Sequence, residues 1–168
     1  MVMNDSKGPR RKKTVVCSCI LMLAALLITA SAQAEKAKSC SAPPPDKTYL
    51  QEIWSGWEKL DAGQQTKFYA QGPHVFFDES PLKYNSWAEF QAGVSGILTS
   101  IRSAKFRVND DAEIHPGKEY VWATATVDQD ALLSDDKHDI ATFRWTVIFA
   151  CEQNKWLIVH EHVSRPTQ

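Results

Sequence analysis

Between residues 46 and 63, apolar side chains recur at the spacing of one helix face. They lie three or four positions apart, with polar residues between them, at Leu50, Ile53, Trp54, Trp57 and Leu60. Asp46 is a suitable N-cap, because its carboxylate can accept hydrogen bonds from the free N–H groups of the first turn. The pattern predicts an amphipathic helix of about four turns, which Gly63 ends, and a short second helix over 64–70.

A capping box marks the start of the next helix. Ser86 and Glu89 stand three residues apart, directly before an apolar run with helical spacing. The apolar positions of that run are Phe90, Val94, Ile97, Leu98 and Ile101. We therefore predict a third helix over 87–101, preceded by a short strand over 74–78.

The remainder of the chain is rich in β-branched and aromatic residues that alternate with polar ones, as is typical of strands. Strands are predicted over 105–114, 119–127, 141–151 and 156–164, with a tight turn at 152–155. Five aspartates between 128 and 139 favour a solvated loop there. Helices that precede an antiparallel sheet define an α+β fold class.

The first 34 residues carry the features of a secretory signal peptide. Basic residues at 10–13 precede a nearly continuous apolar run over 15–30, and Ala32-Gln33-Ala34 is a small-x-small cleavage pattern. We predict cleavage after Ala34 and a periplasmic or secreted mature protein with no membrane association. The alternative is an uncleaved anchor, since the run is about 16 to 20 residues long. Residues 35–45, with three consecutive prolines, are predicted to form an extended linker, so that the folded domain occupies 46–168.

The charge of the mature region differs from that of the whole chain. All 168 residues carry a formal charge of −1, but the part after residue 34 has 14 basic and 19 acidic residues, a charge of −5. A mildly acidic domain without basic clusters does not favour nucleic acid as a partner. All 17 aromatic residues, six of them tryptophan, lie in this region, which favours a lined cavity or an interface.

Two cysteines, Cys40 and Cys151, remain after removal of the first 34 residues. An oxidising compartment would permit a disulfide between them. Two cysteines do not define a disulfide framework, however, and Cys40 lies in the predicted linker. Two separate thiols are therefore the simpler interpretation, and a bridge is the alternative.

The last two predicted strands carry a recognisable motif. The segment 155–164, Lys-Trp-Leu-Ile-Val-His-Glu-His-Val-Ser, and Phe143-Arg144-Trp145-Thr146 before it resemble the nuclear-transport-factor-2-like superfamily. The resemblance covers about residues 46–166 and is strongest to the SnoaL-like branch and to the association domain of calcium/calmodulin-dependent kinase II. It implies a cone, in which a strongly curved sheet wraps against the helices and leaves a pocket. The helix residues expected to cover the concave face are Trp54, Trp57, Phe90 and Val94.

The register of the last hairpin decides which polar side chains face this pocket. If Gln153-Asn154 is a two-residue turn with no irregularity after it, Arg144 and Glu161 share one face of the sheet. One bulge residue reverses this and groups Arg144 with His160 and His162. The sequence does not decide between the two, and we prefer a pocket that contains Arg144, with Glu161 or His160 as its neighbour.

The first of three functional hypotheses is ligand binding. The pocket would hold a small polar or acidic organic molecule, because the fixed fork of the Arg144 guanidinium suits a carboxylate. The candidate ligand-binding residues are Arg144, Trp54, Trp57, Tyr84, Phe90, Tyr120 and Trp122.

The second hypothesis is a cofactor-free enzyme of the isomerase, cyclase or dehydratase type, which the resemblance implies. Such chemistry needs a carboxylate or histidine with a pKa near the working pH in an apolar cavity. The candidate catalytic residues are His160, Glu161, His162 and Asp78, and Tyr84 or Tyr120 could donate to an oxyanion. No metal is expected, because the other candidate ligands, His115 and His138, are expected to lie far from His160 and His162. No cofactor is expected, and the sequence has no glycine-rich phosphate loop.

The third hypothesis is assembly without catalysis. The last two strands are apolar on both faces, which indicates that something packs outside the sheet. A second subunit is the simplest cover for a domain of this size. We therefore expect a homodimer at least.

Overall fold

The computed structural model describes residues 40–167, which form three helices and six strands. The helices are α1 (Lys47–Trp57), a 3-10 helix (Ala62–Phe68) and α2 (Trp87–Leu98). The strands are β1 (Phe76–Phe77), β2 (Ile101–Val108), β3 (Glu113–Pro116), β4 (Tyr120–Leu133), β5 (His138–Glu152) and β6 (Lys155–Ser164). The predicted signal peptide, its cleavage site and the first part of the predicted linker lie outside the described residues. No helix within 40–167 is long and apolar enough to cross a membrane.

Both α-helices begin at the caps that the sequence predicts. Asp46 accepts a hydrogen bond from Tyr49 N at 2.8 Å, and Ser86 Oγ accepts one from Glu89 N at 3.2 Å. These bonds satisfy N–H groups that have no partner within the helix. α2 ends at Leu98, earlier than predicted, because Ile101 already pairs with β4 as the first residue of β2.

The six strands form one curved, unclosed sheet in the order β1-β6-β5-β4-β2, with β3 also paired to β4. The α+β class is confirmed, and one detail differs, because β1 joins β6 in parallel while the other neighbours are antiparallel. The inner face of the sheet carries Phe143, Trp145, Val147 and Phe149, all buried. These side chains belong to one core with the apolar faces of the helices.

The predicted acidic loop is wrong for most of its length. β4 continues to Leu133 and β5 begins at His138, so that only 134–137 form the turn. Gln129 and Ala131 are buried, whereas Asp130 between them is exposed. The segment therefore alternates as a strand does, with Asp130 on the solvent side, while Asp139 pairs with the buried Ala131 and lines a cavity.

A bulge in β6 decides the register of the last hairpin. Gln153 and Asn154 form the two-residue turn with positive φ, as hairpin turns of this length favour. Phe149 pairs with Ile158, but the next pair is Ile148 with His160, so one residue of β6 is extra. Beyond this bulge, every side chain of β6 lies on the opposite face from the one a regular ladder would give.

A disulfide joins Cys40 to Cys151, with 5.5 Å between the Cα atoms. The simpler interpretation of two separate thiols is therefore wrong. The segment after Cys40 is also held by the β5–β6 hairpin, because Asn154 Oδ1 accepts from the N–H groups of Ser41 and Ala42 at 2.7 and 3.2 Å. The end of the predicted linker thus packs on the domain as part of it.

Candidate functional site

A cavity of about 320 Å³ lies between α1, α2 and the inner face of the sheet. A volume of this size is at the lower end of what small-molecule sites offer. Its wall is mostly apolar, with a cluster of polar side chains at one side. The polar residues that line it are Asp78, Glu79, Ser80, Ser100, Gln129, Asp139, Glu161 and Arg165.

Aromatic side chains form much of the wall. Trp54 and Trp57 come from α1, and Phe90 comes from α2, while Phe106 and Phe143 come from the sheet. The helix residues that were expected to cover the concave face, Val94 included, all line the cavity. Trp54 is almost fully buried, and its Nε1 has no hydrogen-bond partner among the described residues.

Glu161 is the most deeply buried acid of the cavity, with 3% of its surface exposed. The bulge in β6 turns it to the inner face, where it pairs with Val147 in the ladder. Tyr69 Oη donates to Oε1 at 2.7 Å and Trp145 Nε1 donates to Oε2 at 2.9 Å. Burial raises the pKa of this carboxyl to about 7, although the two donors act in the opposite direction, and the charge of Asp78 adds to the rise.

Asp78 follows β1, which runs beside β6, and this pairing brings it to the same cavity as Glu161. Burial raises its pKa to about 6. The N–H of Glu79 donates to Oδ1 at 2.8 Å and lowers the pKa, while the nearby charge of the Glu79 carboxylate raises it. Two carboxyl groups with raised pKa values therefore share one largely aromatic cavity.

Arg165, just after β6, crosses the polar side of the cavity. Its Nη1 and Nη2 donate to Asp139 Oδ1 and Oδ2 at 2.8 and 2.5 Å, and its Nε donates to Glu79 Oε1 at 2.6 Å. The guanidinium also lies over the ring of Phe143, 5.1 Å from the centroid. Hydrogen bonding from Arg165 keeps the pKa of Asp139 below its usual range. Sequence reasoning missed this arginine, because the family motif ends at Ser164 and Asp139 was assigned to a loop.

Arg144 does not line the cavity, so the preferred sequence interpretation is wrong on this point. Arg144 alternates with the buried Phe143 and Trp145 on β5 and so lies on the outer face. There it pairs with Ser164, is exposed, and donates to the backbone carbonyl of Arg165 at 3.1 Å. His160 and His162 lie on the same outer face. His160 Nδ1 is 2.7 Å from Val75 O, and both histidine rings contact the ring of Phe77.

The remaining candidates are also outside the cavity lining. Tyr84 is buried beside Phe90 and donates to Ser80 O at 3.1 Å. Tyr120 and Trp122 stand on the outer face with 52% and 44% of their surfaces exposed. Trp122 stacks on the ring of His115 with 3.8 Å between centroids. Of the candidate residues, the structure thus brings together Asp78, Glu161, Trp54, Trp57 and Phe90.

Within residues 40–167, no three His, Cys, Asp or Glu side chains are placed to share a metal ion. The chemistry that the described residues can supply is proton transfer and hydrogen bonding. A carboxyl with a pKa near neutrality can both take and give a proton. The aromatic wall can hold the apolar part of a molecule beside these carboxyls.

Helices packed on one face of a strongly curved sheet, with a side cavity between the two layers, define the nuclear-transport-factor-2-like α+β class. A model of the SnoaL-like domain matches residues 48–168. The chain belongs to this SnoaL-like family. The search of curated proteins returned no significant match.

Solved structures with the same fold have low sequence identity to this chain. A nuclear-transport-factor-2-like superfamily protein from Salmonella enterica is 17% identical, with a TM-score of 0.65, over 73% of this chain and 92% of the other. A protein from Xanthomonas campestris, provisionally assigned as a calcium/calmodulin-dependent protein kinase II association domain, is 14% identical, with a TM-score of 0.55, over 78% and 96%. A protein from Novosphingobium aromaticivorans, provisionally assigned as a scytalone dehydratase, is 7% identical, with a TM-score of 0.63, over 70% and 79%. At these identities the similarity shows the fold alone.

Proposed function

We propose that the cavity binds a small organic molecule. Asp78 would take a proton from this molecule and Glu161 would give one to it, without a cofactor. The observation that carries the proposal is the pair of carboxyls with pKa values of about 6 and about 7 in one aromatic cavity. General acid–base catalysis is most effective when the catalytic pKa is near the working pH. Names of two structural neighbours refer to dehydratases, which is consistent with this chemistry.

The two carboxyls would have different roles. Asp78, with the lower pKa, is mostly ionised at neutral pH and acts as the base that takes a proton from carbon. The charge on Asp78 favours the protonated form of Glu161, which then gives its proton to the oxygen that gains negative charge. Return of the proton from Asp78 to a second carbon of the enol, together with return of the enol proton to Glu161, completes an isomerisation and restores the two carboxyls. In a dehydration, Glu161 instead gives its proton to a hydroxyl on the carbon next to the one that loses its proton, and this hydroxyl leaves as water while the double bond forms; Asp78 then releases its proton to water and Glu161 takes one up, which restores both carboxyls.

An acidic ligand, which the sequence favoured through Arg144, does not suit this cavity. Among the residues that the structure describes, its lining contains four acidic side chains and one arginine, which is already bonded to two of those acids, Glu79 and Asp139. A ligand carboxylate would be repelled without a free cation to compensate it. We therefore propose a ligand without negative charge.

Proton exchange into deuterated water tests the catalytic proposal. We expect the protein to accelerate loss of the protons next to the carbonyl of cyclohexanone, tetralone or N-methylpiperidone, with a rate that rises as Asp78 ionises. Asp78→Asn should reduce the rate by about 100-fold, and Glu119→Gln, which removes one exposed carboxylate outside the cavity lining, should leave it unchanged. Proton NMR measures both binding and exchange. Binding of these ketones without accelerated exchange would contradict the proposed proton transfer.

We also propose that the mature domain acts in the periplasm or outside the cell. The support is the combination of a signal-peptide pattern in residues 1–34 with a disulfide between Cys40 and Cys151. Disulfides persist in oxidising compartments and are rare in the cytosol.

A homodimer through the outer face of the sheet is a further part of the proposal. Tyr120 and Trp122 are both about half exposed there, beside the partly buried Ile148 and Leu157. Exposed aromatic side chains on a sheet face favour a partner, and a second copy gives the simplest closed assembly. Trp122→Glu should shift the sedimentation of the domain from dimer to monomer, whereas Leu82→Glu, at a loop residue that is 90% exposed, should not. A monomeric wild-type protein would contradict the dimer.

A further inference from the structure

The acidic side chains of the cavity outnumber its cations. Among the described residues that line it, Asp78, Glu79, Asp139 and Glu161 are acids and Arg165 is the only base. Arg165 uses its three donor nitrogens on Glu79 and Asp139. Asp78 and Glu161 therefore face the cavity with no cationic partner among these residues.

The cavity already binds one cationic group in a manner that a ligand could repeat. The Arg165 guanidinium lies between carboxylates and over the ring of Phe143. An aromatic face and a carboxylate together are the usual means of binding an organic cation. Trp57 and Phe90 offer further aromatic side chains in the wall of the same cavity as Asp78 and Glu161, which have no cationic partner among the described lining residues.

We propose that the ligand of this cavity is an organic cation, an amine or quaternary ammonium on an apolar, ring-sized body. Its charge would be held by Asp78, and also by Glu161 once that carboxyl is ionised, and its body by Trp54, Trp57 and Phe90. This inference rests on the proposed function, because it names the substrate class of the same cavity.

The proposal implies a pH dependence of binding. Asp78 and Glu161 change charge near neutrality, whereas Asp139, whose pKa is held below its usual range, and Arg165 stay charged there. Tyr69, the other titratable group in contact with Glu161, has a pKa well above its usual value and stays neutral. The affinity for a permanent cation should therefore rise as the pH increases through about 6 to 8, because the two carboxyls become ionised.

Three probes test the inference through the intrinsic tryptophan fluorescence of the protein, to which Trp54 and Trp57 in the cavity wall contribute. They are phenyltrimethylammonium, its neutral isostere tert-butylbenzene, and benzoate. At a pH of about 8 the cation should bind about 10-fold more tightly than the isostere, and benzoate should bind most weakly. The preference for the cation should shrink at a pH of about 5, where protonation removes the charges of Asp78 and Glu161.

Variants assign the effect to the two carboxyls. Asp78→Asn and Glu161→Gln should each reduce the affinity for the cation several-fold and leave that for the isostere unchanged, while Glu119→Gln should change neither. If either variant fails to fold by circular dichroism, the wild-type comparison of cation with isostere decides. Equal or tighter binding of tert-butylbenzene, or preferred binding of benzoate, would overturn the cation proposal and leave the ketone-exchange test of catalysis unaffected. Absence of binding by all three probes would overturn it as well.

Discussion

At a pH of about 8, Glu161→Gln should raise the free energy of unfolding by up to about 3 kcal/mol. The Glu161 carboxyl has an ordinary pKa of 4.5, and burial raises it to about 7 in the folded domain. Each unit of difference between the folded and unfolded pKa corresponds to about 1.4 kcal/mol. The folded state therefore loses stability when this buried group must ionise, and glutamine removes that loss.

The sign of the effect follows from whether the folded or the unfolded state holds the Glu161 proton at a given pH. Below a pH of about 4.5 both states keep the proton on Glu161, so the wild type and the variant should be equally stable. As the pH rises towards about 7, the unfolded chain releases the proton first, and the wild type loses stability relative to the variant. Above that pH the difference should remain constant.

Urea unfolding at several pH values between about 4 and 8 measures this difference. Glutamine keeps the size of the side chain and an oxygen that can accept from Trp145 Nε1, so that little packing is lost. Glu119→Gln provides the matched control on an exposed carboxylate, and its stability should follow that of the wild type at every pH. A variant that is less stable than the wild type at high pH would show that the hydrogen bonds from Tyr69 and Trp145 outweigh the burial of the charge.

A stabilising substitution at this position has a functional meaning. A buried carboxyl that could be replaced with a gain in stability is typical of sites where activity requires a strained or ionisable group. The same variant is expected to weaken cation binding, so stability and function would change in opposite directions. Such a result would separate Glu161 from residues that serve the fold alone.

The helices could be predicted from the sequence because their signals are local. Asp46, Ser86 and Glu89 act on N–H groups within one turn, and the apolar residues of α1 repeat within a single element. The aromatic wall of the cavity could be predicted from the same periodicity, because it places Trp54 and Trp57 on the buried face of α1.

The polar half of the site could not be predicted, because it depends on one residue of β6. The bulge between the pairs of Ile158 and His160 turns Glu161 inward, while Arg144 faces outward because it alternates with the buried Phe143 and Trp145 on β5. A slip of one residue exchanges the two faces of a strand, and nothing in the hairpin sequence marks this bulge. Tertiary contacts favour the bulged register, because Tyr69 and Trp145 donate hydrogen bonds to the Glu161 carboxylate when it faces inward.

The end of β4 and the start of β5, within 128–139, were not predicted, because their polar residues on one face of the sheet hide the apolar pattern of the other face. The aspartates on the solvent side give the segment the composition of a loop, while the buried positions Gln129 and Ala131 are too few to stand out. This error also removed Asp139 from the candidates, and with it the partner of Arg165. One acid of the cavity, Asp139, thus comes from a segment whose composition alone indicates a solvated loop.

Removal of the disulfide should lower the free energy of unfolding by about 4 kcal/mol. Cys40 and Cys151 are separated by 111 residues in the sequence, so the bridge closes a loop that contains nearly all of the domain. Closing a long loop reduces the conformational entropy of the unfolded chain, and the stabilisation increases with loop length. The bridge also holds the segment before α1 against the β5–β6 hairpin, where Trp156 Nε1 donates to Ala42 O at 3.3 Å.

Urea unfolding of the oxidised wild type and of the double variant Cys40→Ser, Cys151→Ser measures this contribution. A reducing agent should lower the stability of the wild type towards that of the double variant and should not affect the variant itself. Neither cysteine lines the cavity, so the affinity for phenyltrimethylammonium should be the same in both proteins while they are folded. Equal stability of the two proteins would contradict the predicted stabilisation, because a bridge that closes a loop of this length reduces the conformational entropy of the unfolded chain.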